Sequence, residues 1–504
     1  MQRKHGVILS YIMMIFEILS TLLITPFLIR SLGQAEYGVY KLSASVTAYL
    51  LLLDLGIGNA TIRYIAKYRT NNESDSEKKF FGVSILFYSA VAVISIIGGW
   101  IMVQCFPDLF SKGLTETEIV LGQKLLAVTG VNAAVTIGTT IYANVIIAYE
   151  KFTISKGASI LSIIIRMLFT VIALKMGMGS LGVVTINLLT TVICRGFFIF
   201  YVFFVIKLRP KFKGIEIGFV KNILAYSCWI LVQMIATQIN ASIDQILLGL
   251  LVPSSAVIIG IYTVGTQIVQ YFQSIGHSFT GVLMPGVVRL VEKKNSEKII
   301  CDEMIRIGRI IFIALGLIYS GFIVCGRQFI DLWVGSANSD AYYVAVILMT
   351  AYFFILIEAI GTQILWAKNE HKEQALLKVI IVIFNIVLTI FLIQWNPLIG
   401  ATIGTFISLF LGDIVVMNIV FAKKIKISLI RYYKGLLKGI LLCIVFTIVF
   451  GYIINLIPLM GWKGLIIKIG LICVIYIFLL WRFGINKYEK NLLSSLFKIK
   501  KFVK

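Results

Sequence analysis

Residues 31–68 of this chain, SLGQAEYGVYKLSASVTAYLLLLDLGIGNATIRYIAKY, hold a polar turn followed by a long apolar run. The apolar run is long enough for a helix to cross the hydrocarbon core of a bilayer. It nevertheless carries Lys41, Asp54 and Arg63, and hydrocarbon rejects each such charge at a cost of several kcal/mol. Asp54 falls near mid-span, whereas Lys41 and Arg63 lie toward the ends, where long side chains can reach the interface. The helix therefore lines a polar cavity, or its charges sit at the membrane edges.

The glycines of this stretch predict breaks in the helix. Gly33 lies in the polar turn, and Gly56 and Gly58 follow Asp54. Glycine adopts backbone conformations that other residues avoid, and it lets a neighbouring chain approach closely. We therefore expect a turn at Gly33 and a helix that loosens, or is closely approached, after Asp54.

The composition extends this interpretation to the whole chain. Of its 504 residues, 59% are hydrophobic and 14% are charged, with a mean hydropathy of +0.96. No soluble globular protein needs so much apolar surface, so the sequence predicts an all-α polytopic membrane protein. The net charge of +23 is explained by basic loops on one side of the membrane, and we expect no nucleic-acid partner. The seven cysteines are scattered singly, which indicates neither a disulfide framework nor a metal site.

Fourteen apolar runs reach spanning length. They cover residues 6–29, 38–66, 80–106, 118–148, 157–176, 180–206, 219–252, 256–287, 307–326, 341–367, 376–394, 398–421, 437–457 and 464–482. An even number of spans places both termini on one side. Most Lys and Arg residues fall in loops on that side, so we expect both termini in the cytoplasm. The basic, amphipathic tail, residues 487–504, is expected to lie on the anionic inner leaflet.

A weak internal repeat predicts two halves. Gly38-Val39-Tyr40, with Tyr49, recurs 222 residues later as Gly260-Ile261-Tyr262, with Tyr271. This offset maps the first six spans onto the next six, as two parallel six-helix halves require. The predicted regions are an N-terminal six-helix lobe at residues 1–213, a C-terminal six-helix lobe at 214–430, and two additional spans with the basic tail at 431–504.

Cations inside the first six spans are candidate binding residues. Arg166 and Arg195 lie in mid-span, too deep to reach the membrane surface easily. Such a cationic cavity suits a phosphate or an acidic sugar, because arginine offers phosphate oxygens a bidentate fork. Arg30, at the outer end of the first span, either extends this cavity or anchors the helix end. The predicted substrate-binding residues are Arg30, Lys41, Arg63, Arg166 and Arg195.

Acids inside the spans are candidate ion-site or cavity residues, and these are Glu17, Asp54 and Asp244. The alternative is a structural salt bridge of Glu17 or Asp54 with one of the arginines. The second six spans hold Asp244, Glu358 and Asp413 and, by this reading, no deep cation, which suits a proton or sodium site. Asp244 lies on a polar helix face with Gln238, Asn240, Ser242 and Gln245. For Glu358 and Asp413 we favour positions near the cytoplasmic surface.

Three stretches resemble a known family: LGQAEYGVY at residues 32–40, LLLDLGIGNATIRYIAKY at 51–68 and SIDQILLG at 242–249. They resemble the polysaccharide-transporter branch of the multidrug/oligosaccharidyl-lipid/polysaccharide exporter superfamily, the Wzx-type flippases of lipid-linked oligosaccharides. The resemblance implies a MATE- and MurJ-like fold, in which two six-helix lobes related by a pseudo-two-fold surround a central cavity and two helices follow. It also implies a monomer in the bacterial cytoplasmic (inner) membrane.

The resemblance implies a flippase that carries an undecaprenyl-pyrophosphate-linked repeat unit to the outer leaflet, for capsule, O-antigen or exopolysaccharide synthesis. By location Arg30, Lys41, Arg63, Asp54 and Asp244 fit the cavity role of charged residues in that family, whose motifs do not fix Arg166 or Arg195. The implied partners are the lipid-linked substrate, membrane lipids and a polysaccharide polymerase or glycosyltransferases of the same pathway. We expect no catalytic residues and no cofactor, with a proton or sodium ion left open as a coupling ion.

Other functions were weighed against this one. A peptidoglycan-precursor (lipid II) flippase shares the architecture, and the sequence does not separate the two. A cation-coupled multidrug antiporter of the same superfamily would need an acidic, aromatic cavity, and the arginines of the first lobe argue against it. A membrane polymerase or glycosyltransferase would carry large outside loops or an acidic metal-binding motif, and the sequence has neither.

Overall fold

The computed structural model describes residues 2–54, 57–212, 217–292, 297–368, 371–486 and 488–491. These residues are helical apart from short connections and contain no β-strand, which confirms the all-α class. Most of the basic tail, from residue 492 onward, lies outside the described residues, as does Gly56.

The helices follow one another with short connections. They are α1 Gln2–Leu51, α2 Ile57–Thr70, α3 Ser74–Phe110, α4 Glu116–Ala148, α5 Phe152–Lys175, α6 Gly179–Phe200, α7 Ile217–Leu251, α8 Ala256–Glu292, α9 Glu297–Val334, α10 Ala341–Ile357, α11 Ala359–Ala367, α12 His371–Ile393, α13 Pro397–Leu409, α14 Met417–Val420, α15 Leu429–Leu437, α16 Ile440–Asn455 and α17 Gly461–Leu479. Short 3-10 or π-helical segments accompany them at Leu52–Asp54, Tyr201–Ile206, Ser336–Asn338, Phe410–Val416, Phe421–Ile425 and Leu480–Gly484.

The described helices account for the fourteen predicted spans. Ten are long and apolar enough to cross a membrane, and the bent pairs α10–α11 and α15–α16 raise the number to twelve. The first of the ten, Leu9–Asp54, is interrupted at Gly33 and therefore contains the first two predicted spans. Helix α8 lies over the eighth predicted span. The prediction of about fourteen transmembrane helices is confirmed.

Two breaks in the first 70 residues set the position of Asp54. Gly33 has φ 78° and ψ 169°, a left-handed backbone that favours glycine, so the predicted turn is confirmed. The second break begins where α1 ends at Leu51; a 3-10 turn, Leu52–Asp54, follows, and α2 starts at Ile57. Asp54 therefore lies at the end of a helical segment in mid-span.

The chain divides into two compact units. The first contains residues 1–263 and 372–404, and the second contains residues 264–371 and 405–504. In the first unit α3 packs along α4, and α1 packs against α4 and α5; in the second unit α9 packs against α10, α15, α16 and α17. The lobe boundaries predicted at residues 213 and 430 rest on span order and the internal repeat, which this division does not measure, so they stay a prediction.

Contacts near the helix ends agree with the side of the membrane that the sequence predicts for each connecting segment. On the side predicted as cytoplasmic, Lys211 Nζ lies 2.6 Å from Asp75 Oδ1, and Lys79 Nζ lies 2.7 Å from Asp75 Oδ2. Hydrogen bonds from Lys211 and Lys79 lower the pKa of the exposed Asp75 carboxyl to about 2. On the opposite side the Ser255 backbone N–H donates to the Gly113 carbonyl at 2.8 Å. These contacts join loops that the sequence places on the same face.

The two glycines of the internal repeat meet at a helix crossing in the first unit. A Cβ built on Gly38 would lie 1.8 Å from the Ala256 carbonyl oxygen and 3.2 Å from the Gly260 nitrogen. A Cβ built on Gly260 would lie 2.9 Å from the Gln34 carbonyl oxygen and 3.7 Å from the Gly38 nitrogen. Glycine permits this backbone contact. Equivalent residues of the repeat thus face each other, as a two-fold axis between them would require.

A buried cation in the second unit, Arg309, was not singled out from the sequence, which was expected to hold no deep cation in these spans. Its Nε lies 2.6 Å from Glu489 Oε1, with the two side chains only 5% and 7% exposed. The same guanidinium donates to the carbonyls of Lys438 at 2.9 Å and Gly484 at 2.7 Å. Arg309 thereby satisfies carbonyls at two helix ends and fixes α9 to the last two spans.

Candidate functional site

Charged side chains inside the first unit form two groups, the first around Tyr40. Lys41 Nζ lies 5.4 Å from the ring centroid of Tyr37 and 5.5 Å from that of Tyr40, within the range of a cation–π interaction. The Arg166 guanidinium acts electrostatically on the Tyr40 hydroxyl and donates to Asn187 Oδ1 at 3.2 Å. The packing of α1 against α5 brings these two cations to the same tyrosine. We call Tyr37, Tyr40, Lys41, Arg166 and Asn187 the Lys41 group.

The second group surrounds Asp54 and consists of Asp54, Tyr88, Asn144 and Arg195. Asp54 and Arg195 attract each other electrostatically, but among the described residues neither forms a salt bridge within 4.0 Å. The Tyr88 hydroxyl lies close to the Asp54 carboxyl and to Thr61, whereas Asp54 Oδ1 and Asn144 Nδ2 are buried without a hydrogen-bond partner among the described residues. We call these residues the Asp54 group.

Gly58 creates the space for the Asp54 group. A Cβ built on Gly58 would lie 3.2 Å from Asn144 Nδ2 and 3.8 Å from Asp54 Oδ2, so a larger residue would crowd both polar groups. This confirms the expected close approach after Asp54. Buried polar atoms are nearly always paired, and a cluster of incompletely paired ones is typical of a site that binds something.

Asp244 lies at the junction of α1, α7 and α8 in the first unit. It is only 3% exposed and accepts a hydrogen bond from the Tyr262 hydroxyl. Its neighbour Gln245 accepts from the Ser45 hydroxyl of α1 and donates to Thr263 Oγ1 at 3.4 Å. A buried carboxylate that accepts from a tyrosine hydroxyl can bind a proton or a small cation.

The polar face predicted for α7 is present. Gln238 Nε2 donates to Ser242 Oγ at 2.6 Å, and Asn240 Oδ1 accepts from Asn385 Nδ2 at 2.7 Å. Thr389 of the same helix as Asn385 donates to Asn385 Oδ1 at 3.0 Å. This chain of hydrogen bonds connects α7 with α12 inside the first unit.

Besides Asp244, three predicted site residues lie outside both groups. Arg30 and Glu17 are exposed on α1, and Arg63 is exposed on α2. The structure places none of them in contact with Arg166 or Arg195, so the alternative of a Glu17–arginine salt bridge has no support here. Their roles, like those of the other predicted site residues, stay a prediction.

Glu358 and Asp413 are buried in the second unit, at 3% and 6% exposure. Glu358 lies at the 47° bend between α10 and α11, accepts hydrogen bonds from Asn418 Nδ2 at 3.0 Å and also accepts one from the Tyr433 hydroxyl. Tyr433 belongs to a segment predicted on the cytoplasmic side. The contact agrees with the expected position of Glu358 near that side, although its carboxyl is enclosed by protein.

Sequence reasoning missed five uncharged polar residues of the two groups and of the surroundings of Asn240 and Glu358: Asn187, Tyr88, Asn144, Asn385 and Asn418. A scan for charges inside spans passes over them, whereas a scan for asparagine in apolar runs would have found four of the five. Among the described residues no group of three or more His, Cys, Asp or Glu side chains could hold a metal ion.

Comparisons with known proteins begin with the sequence. Residues 4–291 match the profile of a family described as polysaccharide biosynthesis protein. The probable flippase AglR of Haloferax volcanii is 23% identical over 412 residues, which cover 79% of each chain.

Solved structures show the same fold at low sequence identity. The lipid II flippase MurJ, in an inward closed conformation, matches with a TM-score of 0.72 over 94% of this chain and 97% of MurJ, at 15% identity. An inward-facing multidrug resistance MATE family transporter of the MOP superfamily matches with a TM-score of 0.63 over 82% of this chain and 96% of that chain, at 14% identity. These matches confirm the MATE- and MurJ-like architecture. Because the family profile covers more than half of it, the chain belongs to the polysaccharide biosynthesis protein family.

Proposed function

We propose that the protein is a flippase that moves undecaprenyl-pyrophosphate-linked oligosaccharide repeat units from the inner to the outer leaflet of the bacterial cytoplasmic membrane. It works by alternating access, with both termini in the cytoplasm. The observation that carries this proposal is the lack of a salt-bridge partner for Arg166 and Arg195. Both guanidinium groups lie in mid-span without a carboxylate within salt-bridge distance among the described residues.

An unneutralised arginine at membrane depth is costly, which favours a functional reason for keeping it. Arg166 is held by the amide oxygen of Asn187, and Arg195 lies 5.9 Å from the ring centroid of Phe198. These uncharged partners orient the guanidinium groups. Asp54 attracts Arg195 without forming a salt bridge, so the charges of both arginines remain available to another anion. A pyrophosphate matches it well, because each phosphate can accept two parallel N–H bonds from one arginine.

Backbone contacts near the predicted outer face support alternating access. Gly38 touches Ala256 and Gly260, and a Cβ built on Gly113 would lie 1.8 Å from the Gly249 carbonyl oxygen. All of these residues belong to the first unit, and the predicted topology places them at the outer ends of spans or in an outside loop. A sugar head held at the arginines would pass outward only after these contacts separate. The lipid tail stays in the bilayer throughout, and the transport needs no covalent chemistry.

The arginines are tested by a double variant, Arg166→Ala with Arg195→Ala, in cells that lack the wild-type protein. Each lost charge-assisted contact is worth ~1.5–3 kcal/mol, so we expect clearance of lipid-linked repeat units from the inner leaflet to fall at least ~100-fold. The measurement is the amount of undecaprenyl-linked sugar accessible on that leaflet. Arg482→Ala, at an exposed arginine of the second unit, is the control and should clear it normally.

The other outcomes separate the remaining functions. Normal clearance by the double variant would make both arginines structural. Accumulation of lipid II in cells lacking the protein would identify a peptidoglycan-precursor flippase. Increased sensitivity to cationic drugs, without any lipid-linked intermediate, would identify a multidrug antiporter.

After release of the substrate, the empty protein must return to its inward-open form. We assign this return to a cation bound at Asp244 or to the charge of the substrate itself. With Asp244→Asn we expect transport in proteoliposomes to lose its response to an imposed proton or sodium gradient, by about tenfold, or ~1.4 kcal/mol of driving force. Asp75→Asn changes an exposed acid in the first turn of α3 and should keep the response. A full response in Asp244→Asn would assign the reset to the substrate charge or another acid.

A further inference from the structure

An apolar groove of about 400 Å³ lies between α5 and α6 in the first unit. Its walls run from Thr153 to Ile165 on α5 and from Thr190 to Phe197 on α6, and they are almost entirely carbon. This volume falls within the ~300–1,000 Å³ typical of ligand pockets. We call this feature the α5–α6 groove.

Small residues on α5 create the groove. A Cβ built on Gly157 would meet nothing within 4 Å, and Ala158 follows it in the lining. Leu161 and Ile193 remain 57% and 66% exposed at the groove edges, although α5 and α6 pack together elsewhere. The two helices therefore diverge enough to admit a chain-like molecule between them.

The groove leads from one membrane face toward a mid-span arginine. Thr153 lies in the first turn of α5, and Ile165, twelve residues later, is ~18 Å farther along the helix axis. That distance exceeds half of the ~30 Å hydrocarbon core. Arg166 directly follows Ile165, whereas Cys194 lies level with the Ala158 carbonyl, at 3.9 Å, so Arg195 lies beside the middle of the groove. An apolar path thus ends beside one cation, Arg166.

We infer that the α5–α6 groove binds the first isoprene units of the substrate's polyprenyl chain while Arg166 holds its phosphates. The inference rests on the proposed function and adds where the lipid part lies. A long hydrocarbon attached directly to an anionic head matches an elongated apolar path with a cation at its deep end. An ordinary phospholipid keeps its phosphate at the headgroup level, so its chains would leave Arg166 unmatched.

This placement has a mechanical advantage for flipping. The chain stays in contact with α5 and α6 while the head crosses, so the head never has to be separated from a tail fixed elsewhere. The groove also opens toward the membrane, as the exposed Leu161 and Ile193 show. The rest of the polyprenyl chain can therefore remain in lipid.

Cys194 provides a natural probe, because it lines the groove and is half-buried. The full-length protein in lipid nanodiscs is treated with N-ethylmaleimide, and alkylation is measured at each cysteine by peptide mass spectrometry. Undecaprenyl phosphate should slow alkylation of Cys194 by at least about tenfold, because bound ligands bury most of their surface against the pocket. Cys105 and Cys473, on α3 and α17, are internal controls that should react unchanged.

Two other additives distinguish the sources of protection. Phosphatidylglycerol and inorganic pyrophosphate should leave the alkylation of Cys194 unchanged. Equal protection by phosphatidylglycerol would overturn the inference, because the groove would then hold ordinary lipid. Protection by inorganic pyrophosphate would also overturn it, because an anion bound at the arginines, and not a chain in the groove, would then shield the thiol.

A matched pair of glycine variants tests the groove itself. Gly157→Leu fills the groove, whereas Gly196→Leu adds the same side chain to α6, outside the lining, where a Cβ also meets nothing within 4 Å. Gly157→Leu should abolish protection of Cys194 and slow clearance of lipid-linked sugar severalfold, and Gly196→Leu should do neither. Normal protection and clearance by Gly157→Leu would overturn the groove assignment while leaving the flippase proposal intact. Normal clearance by the Arg166→Ala, Arg195→Ala double variant would instead contradict the proposed function.

Discussion

Gly38→Ala is expected to abolish clearance of lipid-linked sugar, although it adds only one methyl group. A Cβ at this position would lie 1.8 Å from the Ala256 carbonyl oxygen, far inside van der Waals contact, so α1 and α8 must move apart. Overpacking of this kind costs ~1–3 kcal/mol or more. Because alanine is favoured over glycine in a helix by ~1 kcal/mol, any loss must come from the crossing itself. The measurement is inner-leaflet substrate at matched expression of variant and wild type.

Gly196→Ala is the matched control for this prediction. It makes the same change in another membrane helix, at a position where a Cβ meets nothing within 4 Å. We expect normal transport and equal or slightly higher thermal stability. Normal transport by Gly38→Ala, at normal protein levels, would show that the crossing need not close during the cycle. A normal melting temperature together with lost transport would show that closure matters for function and not for folding.

Arg309→Ala is expected to destabilise the protein by ~3–5 kcal/mol, because it leaves the Glu489 carboxylate buried without a partner. The carbonyls of Lys438 and Gly484 lose their donor in the same substitution. Heating with a thiol-reactive dye measures the effect, since Cys301 and Cys443 of the second unit are buried and become reactive on unfolding.

Two further variants show whether burial is the cause. Arg431 and Asp302 form an exposed pair at the same 2.6 Å, so Arg431→Ala should cost no more than ~1 kcal/mol. The double variant Arg309→Met with Glu489→Leu removes both buried charges and should recover much of the lost stability. A melting temperature of Arg309→Ala equal to that of the wild type would mean that water reaches Glu489 and that the pair is not sealed.

The spans were predictable because the bilayer imposes a strong local rule. A membrane helix must be apolar over its full length, so Leu9–Asp54 and its successors are visible without any tertiary information. The turn at Gly33 was predictable for a similar reason, since it combines glycine with polar neighbours. By contrast, the bend at Glu358 has no proline, and its nearest glycine, Gly361, donates to the Glu358 carbonyl at 2.8 Å in the turn that follows. A single glycine in an apolar run does not by itself predict a bend.

Of the candidate site, only the charged residues could be predicted from the sequence. Arg166 and Arg195 stand out in apolar runs, but their environments depend on which helices pack together. Asn187 reaches Arg166 from 21 positions away, and Glu489 reaches Arg309 from 180 positions away. No local pattern indicates such pairs. The groove is also invisible in the sequence, because Gly157 and Ala158 are ordinary residues of a membrane helix.

The crossing of Gly38 and Gly260 has a consequence for the origin of the chain. A contact in which a residue meets its own counterpart is isologous, and isologous contacts are the kind found in two-fold homodimers. Two identical six-helix polypeptides carrying this glycine would form the same crossing without further adaptation. Fusion of such a dimer into one chain would preserve the crossing while each half became free to diverge in its buried charges.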